Sequence, residues 1–179
     1  ARREQAPQDL LRLSDLDLLQ ALDVAREGRL TRAAVFLAGR ETLIRRHFPH
    51  YGWTFARMRS ATEYDDRQDG YDALATALGQ LMQRIMTDNP LQTLVMGLFH
   101  HEYRIYPEIA LREGLLNALC HQNFRIPGPV VVAQYPDRLE ISNAGGFIGG
   151  ISPDNILHHR PVPRNPVLVN ALVRLRLVN

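Results

Sequence analysis

Residues 106–124, YPEIALREGLLNALCHQNF, decide how the rest of the chain is read. Pro107 suits the first position of a helix, where a missing N–H costs nothing. From 107 to 122 the residues Leu111, Leu115, Leu116, Ala118, Leu119 and Cys120 make a helix apolar around most of its circumference, the pattern of a buried element. One polar stripe interrupts it. Glu113, Asn117 and His121 stand at i, i+4 and i+8, within about 80° of one another. In a cleft, such a carboxylate can act as a general base or hold Mg²⁺ through water, and the amide oxygen can complete a metal shell. On a solvated face the same stripe is merely wet, and spacing alone leaves both readings open.

The residues that follow favour the cleft. Segments 130–135 and 138–142 read as an antiparallel hairpin, with Pro136 at the second position of its turn as a type I turn prefers. At the strand exit, residues 143–150, NAGGFIGG, carry four glycines in eight positions. Such a loop permits positive φ and close approach of backbone to a ligand. Residues 151–165 read as a long loop with three prolines, and Asn165 as the cap of a last helix running to about Leu175.

Upstream, residues 1–12 read as a frayed lead-in, and Ser14 with Asp17 as a near capping box. The helix it opens carries Leu18, Leu19, Leu22 and Val24 and is expected to end near Gly28. Residues 33–38 read as a short buried strand closed by Gly39. Residues 41–48 read as a helical turn stopped by Pro49, and 53–59 as an alternating strand. The acidic stretch 61–70, ATEYDDRQDG, is the best boundary candidate. Residues 71–87 read as a helix on Leu74, Ala77, Leu78, Leu81, Met82 and Ile85, ended by Asn89-Pro90. Segments 93–99 and 103–106 suggest a strand pair. Helices and antiparallel strands in clusters make the fold class α+β.

Composition excludes several function classes. Apolar residues are 45% and charged residues 22% of the 179, an ordinary globular balance. The longest apolar runs are too short to span a bilayer, so no membrane partner is expected. No basic leader precedes an apolar stretch, so no signal peptide is expected, and the opening Ala1 reads as the start of a fragment. Single Cys120 cannot form an internal disulfide and fits a reducing, cytoplasmic setting. All 21 basic residues are Arg. Without Lys there is no phosphate-binding loop of the G-x-x-x-x-G-K-[ST] type and no Schiff-base chemistry. A net charge of +2 and a pI near 9.0 are compatible with nucleic acid without demanding it.

The order of motifs resembles a known family. Residues 106–124, then 130–157, VVVAQYPDRLEISNAGGFIGGISPDNIL, then 163–172, PRNPVLVNAL, are similar to prokaryotic proteins described as transcriptional regulators, some labelled RecG-like ATP-dependent helicases. In that family a Schlafen-like, Alba-type DNA-binding domain precedes a divergent domain of the GHKL ATPase superfamily. The resemblance implies a GHKL-like, Bergerat-type two-layer α/β sandwich over residues 67–179, truncated at its C-terminal end. The part of a smaller α/β region before it, residues 1–66, resembles the tail of the DNA-binding domain and its connection. It also implies ATP and Mg²⁺ as cofactors, DNA as a partner of the N-terminal region, and an ATPase activity that a degenerate member would lack. Homo-oligomers are compatible with it. A helicase motor is not expected, because the lysine-bearing motif is absent.

By that resemblance Glu113 takes the position of the residue that polarises the attacking water, and Asn117 that of the Mg²⁺ ligand bridging the phosphates. His121 matches the next family position on the same face. Asn143, Gly145 and Gly146 stand where the adenine-contacting Asp and its glycines lie, with Asn143 in place of Asp; its carbonyl oxygen can still accept a hydrogen bond. Arg164 and Asn165, followed by Pro166, match a family signature. The family's His-Arg-Asp-Tyr is here His121-Gln122-Asn123-Phe124.

Other features read more plainly. The pairs His100-His101 and His158-His159 point to opposite faces if extended, so each pair offers one ligand to a given site. Arg45, Arg46, Arg57 and Arg59 are the candidates for DNA phosphates. Cys120 and Trp53 read as core residues.

Overall fold

A computed structural model describes residues 8–178. The lead-in expected over 1–12 lies outside them up to residue 7, and Leu10–Arg12 form a single 3₁₀ turn. Helix α1, Asp15–Ala21, opens as the capping residues require, with Ser14 Oγ accepting the Asp17 N–H at 3.3 Å. It ends about two turns earlier than expected. Asp23 turns left-handed at φ 58° and grips Arg26 through two hydrogen bonds, so the chain leaves the helix. Gly28 belongs to the turn between two short strands, β1 (Ala25–Arg26) and β2 (Arg29–Leu30), rather than to a helix end.

The second correction concerns residues 33–38, which form helix α2, Arg32–Ala38, and not a strand. A short apolar run has no periodicity that separates the two. What decides is Thr31. Its hydroxyl accepts the Ala34 N–H at 3.3 Å and donates to the Val24 carbonyl at 2.8 Å, capping the helix and tying it to the preceding segment. Helix α3, Glu41–His47, follows as expected.

The main sheet has the order β4-β3-β7-β8. Strand β3, Trp53–Met58, pairs antiparallel with β4, Tyr64–Gly70, and parallel with β7, Val130–Gln134. Strand β8, Leu139–Ser142, completes the expected hairpin with β7. The stretch 61–70, taken from composition as a boundary, is therefore mostly an edge strand. The 66/67 division falls inside β4, and the sheet continues from β3 to β7 and β8. Charge hides this strand, because its acidic and basic residues are used in pairs: Asp66 with Arg84 at 2.8 Å and Arg67 with Asp69 at 3.1 Å.

The pleat sorts the sheet into two faces. Trp53, Phe55, Val130 and Val132 share the core face, all 1% exposed or less. Helices α4, Leu74–Thr87, and α5, Glu108–His121, cover it. The result is a two-layer α/β sandwich of the α+β class. Helix α4 buries Leu74, Ala77, Leu81 and Ile85, and α5 buries the six apolar residues named from its sequence. Each buried Leu contributes about 1.5–3 kcal/mol relative to exposure. The carbonyls left open at the end of α4 are met by Gln134, whose Nε2 donates to Asp88 O at 3.2 Å. Helix α6, Pro166–Arg174, packs against α2.

A strand pair forms as expected but with other bounds than 93–99 and 103–106, because Gly97 at φ 61° puts the turn inside the first expected segment. Strands β5, Leu91–Met96, and β6, Phe99–Arg104, make a ribbon exposed along both strands. Buried Asn89 closes its base by donating to Tyr106 O and accepting the Tyr106 N–H, at 2.7 and 3.0 Å. Among the described residues no helix is long and apolar enough to cross a membrane.

Candidate functional site

Three separate stretches converge on one cleft of about 480 Å³. Helix α5 supplies a wall through Asn117 and His121, β8 a floor through Ile141, and the loop after β8 the far wall through Asn143, Gly145, Gly146 and Arg164. Six of the eight residues singled out from sequence therefore line a single cavity. The volume falls within the range of small-molecule and cofactor sites, about 300–1,000 Å³.

The two remaining residues lie elsewhere. Glu113, one turn before Asn117, is half-buried but does not line the cleft, and among the described residues it has no hydrogen-bond or ion-pair partner. Asn165 is a structural clasp. Its Nδ2 donates to Cys120 O at 2.7 Å and Gln122 O at 3.0 Å, so it satisfies open carbonyls at the end of α5. It occupies the cap position of α6 as expected but makes no side-chain capping bond there, because the side chain is engaged across the interface.

The loop is held against the helix by backbone geometry. Gly145 adopts φ +116°, outside the range of ordinary L residues, and a Cβ there would stand 3.0 Å from Asn123 Cβ and 3.3 Å from the Arg164 guanidinium. Arg164 donates to Gly146 O, holding its cation at the cleft mouth. Asn117 is exposed into the opening. The Asn143 side chain donates weakly to Ala144 O at 3.4 Å, leaving its carbonyl oxygen to accept.

Electrostatics follow from burial and from Arg164. Partial burial, then the nearby Arg164 charge, hold the His121 imidazole below its ordinary pKa of 6.5. It is neutral at pH 7, with one ring nitrogen able to donate and the other to accept. Cys120 faces the core, and burial raises its thiol from 9.0 to about 12. The native thiol is accordingly expected to resist aromatic disulfide reagents at pH 8 and to react fully only on unfolding, as followed by thiolate absorbance. The sign of the linkage is destabilising at high pH: the unfolded thiol ionises near 9 while the folded one keeps its proton. Stability should therefore fall between about pH 9 and 12.

Sequence reading passed over Gln122 and the apolar side of the cleft. Gln122 is fully buried, and its amide bridges Gly128 O at 2.6 Å and the Ala144 N–H at 3.0 Å. The signal was present: Leu111, Leu115, Ala118 and Gln122 form one core stripe, and a polar group on such a stripe needs partners. Phe147, Ile148, Ile151, Ile156 and Val162 form the apolar wall, which belongs to an irregular loop without periodicity. His159 also lines the cleft, with Nδ1 2.7 Å from Arg160 O. Among the described residues no group of three His, Cys, Asp or Glu is arranged to hold a metal ion. Of the arginines proposed for DNA, Arg45, Arg57 and Arg59 are ion-paired, with Glu41, Asp88 and Asp65.

Comparisons with known proteins agree with this architecture at different depths. Residues 128–179 match a family model described as "Putative ATP-dependent DNA helicase recG C-terminal". The match takes in β7, β8, the glycine loop and α6, less than a third of the chain, and stops short of α5. The fold is similar to the crystal structure of the DIP2311 protein from Corynebacterium diphtheriae, with a TM-score of 0.82 and 23% identity. That likeness covers 99% of this chain and 36% of the other, so the chain spans about a third of that protein's length. A search of curated proteins finds no match.

Proposed function

We propose that the cleft between α5 and the 143–164 loop binds ATP together with Mg²⁺. The observation that carries this reading is the convergence of Asn117, His121, Asn143, Gly145, Gly146 and Arg164 on one cavity of nucleotide-compatible size. The family model over 128–179, whose description names an ATP-dependent enzyme, supports the same chemistry. The GHKL resemblance of the helix and the loop supports the same reading.

The roles follow from what each group can do. The Asn117 amide oxygen is exposed and suited to a hard cation held by phosphate oxygens. Asn143 can accept from the adenine amino group, and the flanking glycines let the nucleotide lie against backbone. Arg164 supplies positive charge for phosphate oxygens, and neutral His121 a further hydrogen bond. Bound Mg²⁺ would neutralise phosphate charge. The position of Glu113, outside the cleft lining and without an orienting partner, favours binding over turnover, since a general base must stand within hydrogen-bond reach of the water it polarises. DNA association through the N-terminal region is the companion proposal. Of its four candidate arginines Arg46 is unpaired among the described residues, so wider phosphate contact requires ion pairs to open.

Isothermal titration with ATP and Mg²⁺ tests the nucleotide reading. Saturable binding is expected, weakened about tenfold or more by Asn117→Ala, whose exposed position leaves folding intact. Absence of heat, or an Asn117→Ala variant indistinguishable from the parent, rules the site out.

A further inference from the structure

A second, larger cavity of about 620 Å³ lies behind the glycine loop, between α2, residues 123–125 and the start of α6. It meets the first cleft only at Ile148 and Arg164. Its walls combine two chemistries. Half-buried Phe124 presents an aromatic ring backed by the core rings of Phe36 and Phe48, 4.6 and 4.7 Å away between ring centres, with half-buried Ile148 and Val167 beside the opening. Around this opening stand Arg32, Arg125 and Arg164, and among the described residues no Asp or Glu lines the cavity.

Among the described residues no carboxylate offsets the charge of these three arginines. Seven other arginines pair with a carboxylate. These three do not. Arg32 donates to His47 O and lies 4.8 Å over the Phe48 ring, and Arg164 donates to Gly146 O. Exposed Arg125 has a side chain without a partner among the described residues, its backbone N–H alone donating to Asn123 Oδ1. Three guanidinium groups around an apolar concavity create a positive potential that low-dielectric walls strengthen. Guanidinium forks match carboxylate and phosphate oxygens, and the half-buried Phe124 ring with its aliphatic neighbours takes a flat apolar body.

We propose that this cavity is a binding site for a small amphipathic anion: a carboxylate or phosphate monoester carried on an aromatic body. Both halves of the ligand are required, because the cavity wall is part cationic and part apolar. Apart from the shared Ile148 and Arg164, the cavity is lined by residues outside the nucleotide cleft.

The test uses 1-naphthoate and 1-naphthyl phosphate as probes, titrated calorimetrically into the protein. Neutral 1-naphthalenemethanol and inorganic phosphate serve as half-ligands. One-to-one binding of at least one anionic probe is expected, with both half-ligands weaker by about tenfold or more. Which anion binds tighter identifies the preferred head group. Arg125→Ala should weaken the bound probe by about tenfold while leaving the melting temperature unchanged, since its side chain supports nothing else. Asn117→Ala should leave probe affinity unaltered. The proposal is overturned if neither anion saturates, if the neutral alcohol binds as well as the anions, or if Arg125→Ala has no effect. It is equally overturned if Asn117→Ala abolishes probe binding, which would assign the probe to the other cleft.

Discussion

Gln122→Leu is expected to lower the unfolding free energy by about 2–4 kcal/mol, although the replacement is apolar, similar in size and placed in a fully buried position. A transfer argument alone predicts the opposite sign, because an amide is being removed from the core. What decides is the pair of partners left behind. Gly128 O and the Ala144 N–H each lose their side-chain bond, and an unsatisfied buried backbone group costs about 1–3 kcal/mol. Water restores part of this, since both groups belong to loops, so the expected loss is below the sum of the maximum penalties. The loop remains attached by the Asn123 N–H to Ala144 O bond at 2.8 Å, so the variant should still fold. Urea unfolding with an unchanged m-value reads the loss directly. A change below about 1 kcal/mol would show that the bridge is not what holds the glycine loop to α5.

The second large effect lies at the far edge of the sheet. Gly70→Ala is expected to cost about 2–5 kcal/mol, far above the small change usual for an edge-strand position. A Cβ on Gly70 would lie 2.2 Å from two indole carbons of Trp53, its partner across the β3–β4 ladder, and 2.6 Å from the indole nitrogen. Trp53 cannot yield cheaply. It is 1% exposed among core residues, and its N–H donates to Asp72 at 3.2 Å just before α4 begins. Either the strands part or the indole turns and abandons that bond. A double-mutant cycle with Trp53→Phe checks the cause: removing the outer ring should make the pair less damaging than the sum of the singles. Strict additivity would mean that the clash is relieved elsewhere.

Both predictions rest on close contacts between residues distant in sequence, and there the sequence was least legible. Helix α5 was readable because Leu111 to Cys120 repeat at the helical period, and an apolar circumference has one outcome in water. The same holds for α4 and for the β7–β8 hairpin, where local pattern and tertiary demand agree. Residues 33–38 were not readable, since a run too short to show a period carries no structural preference until Thr31 caps it. Strand β4 was hidden because its charges satisfy one another and Arg84 rather than avoiding structure.

The amino-acid sequence by itself determined the buried helix, its polar stripe and the glycine loop, because each is a local pattern with a local physical cause. It also placed Glu113, Asn117 and His121 on one helix face, a consequence of helical geometry alone. Only the tertiary structure decided which of them share a cavity. Packing of α5 on β8, and the Gln122 and Asn165 clasps, carry Asn117 and His121 to the loop while Glu113 stays outside. The cavity lined by three arginines without a carboxylate partner was likewise invisible in the linear chain. Arg32, Arg125 and Arg164 come from segments that only the long-range packing of α2 and α6 brings together.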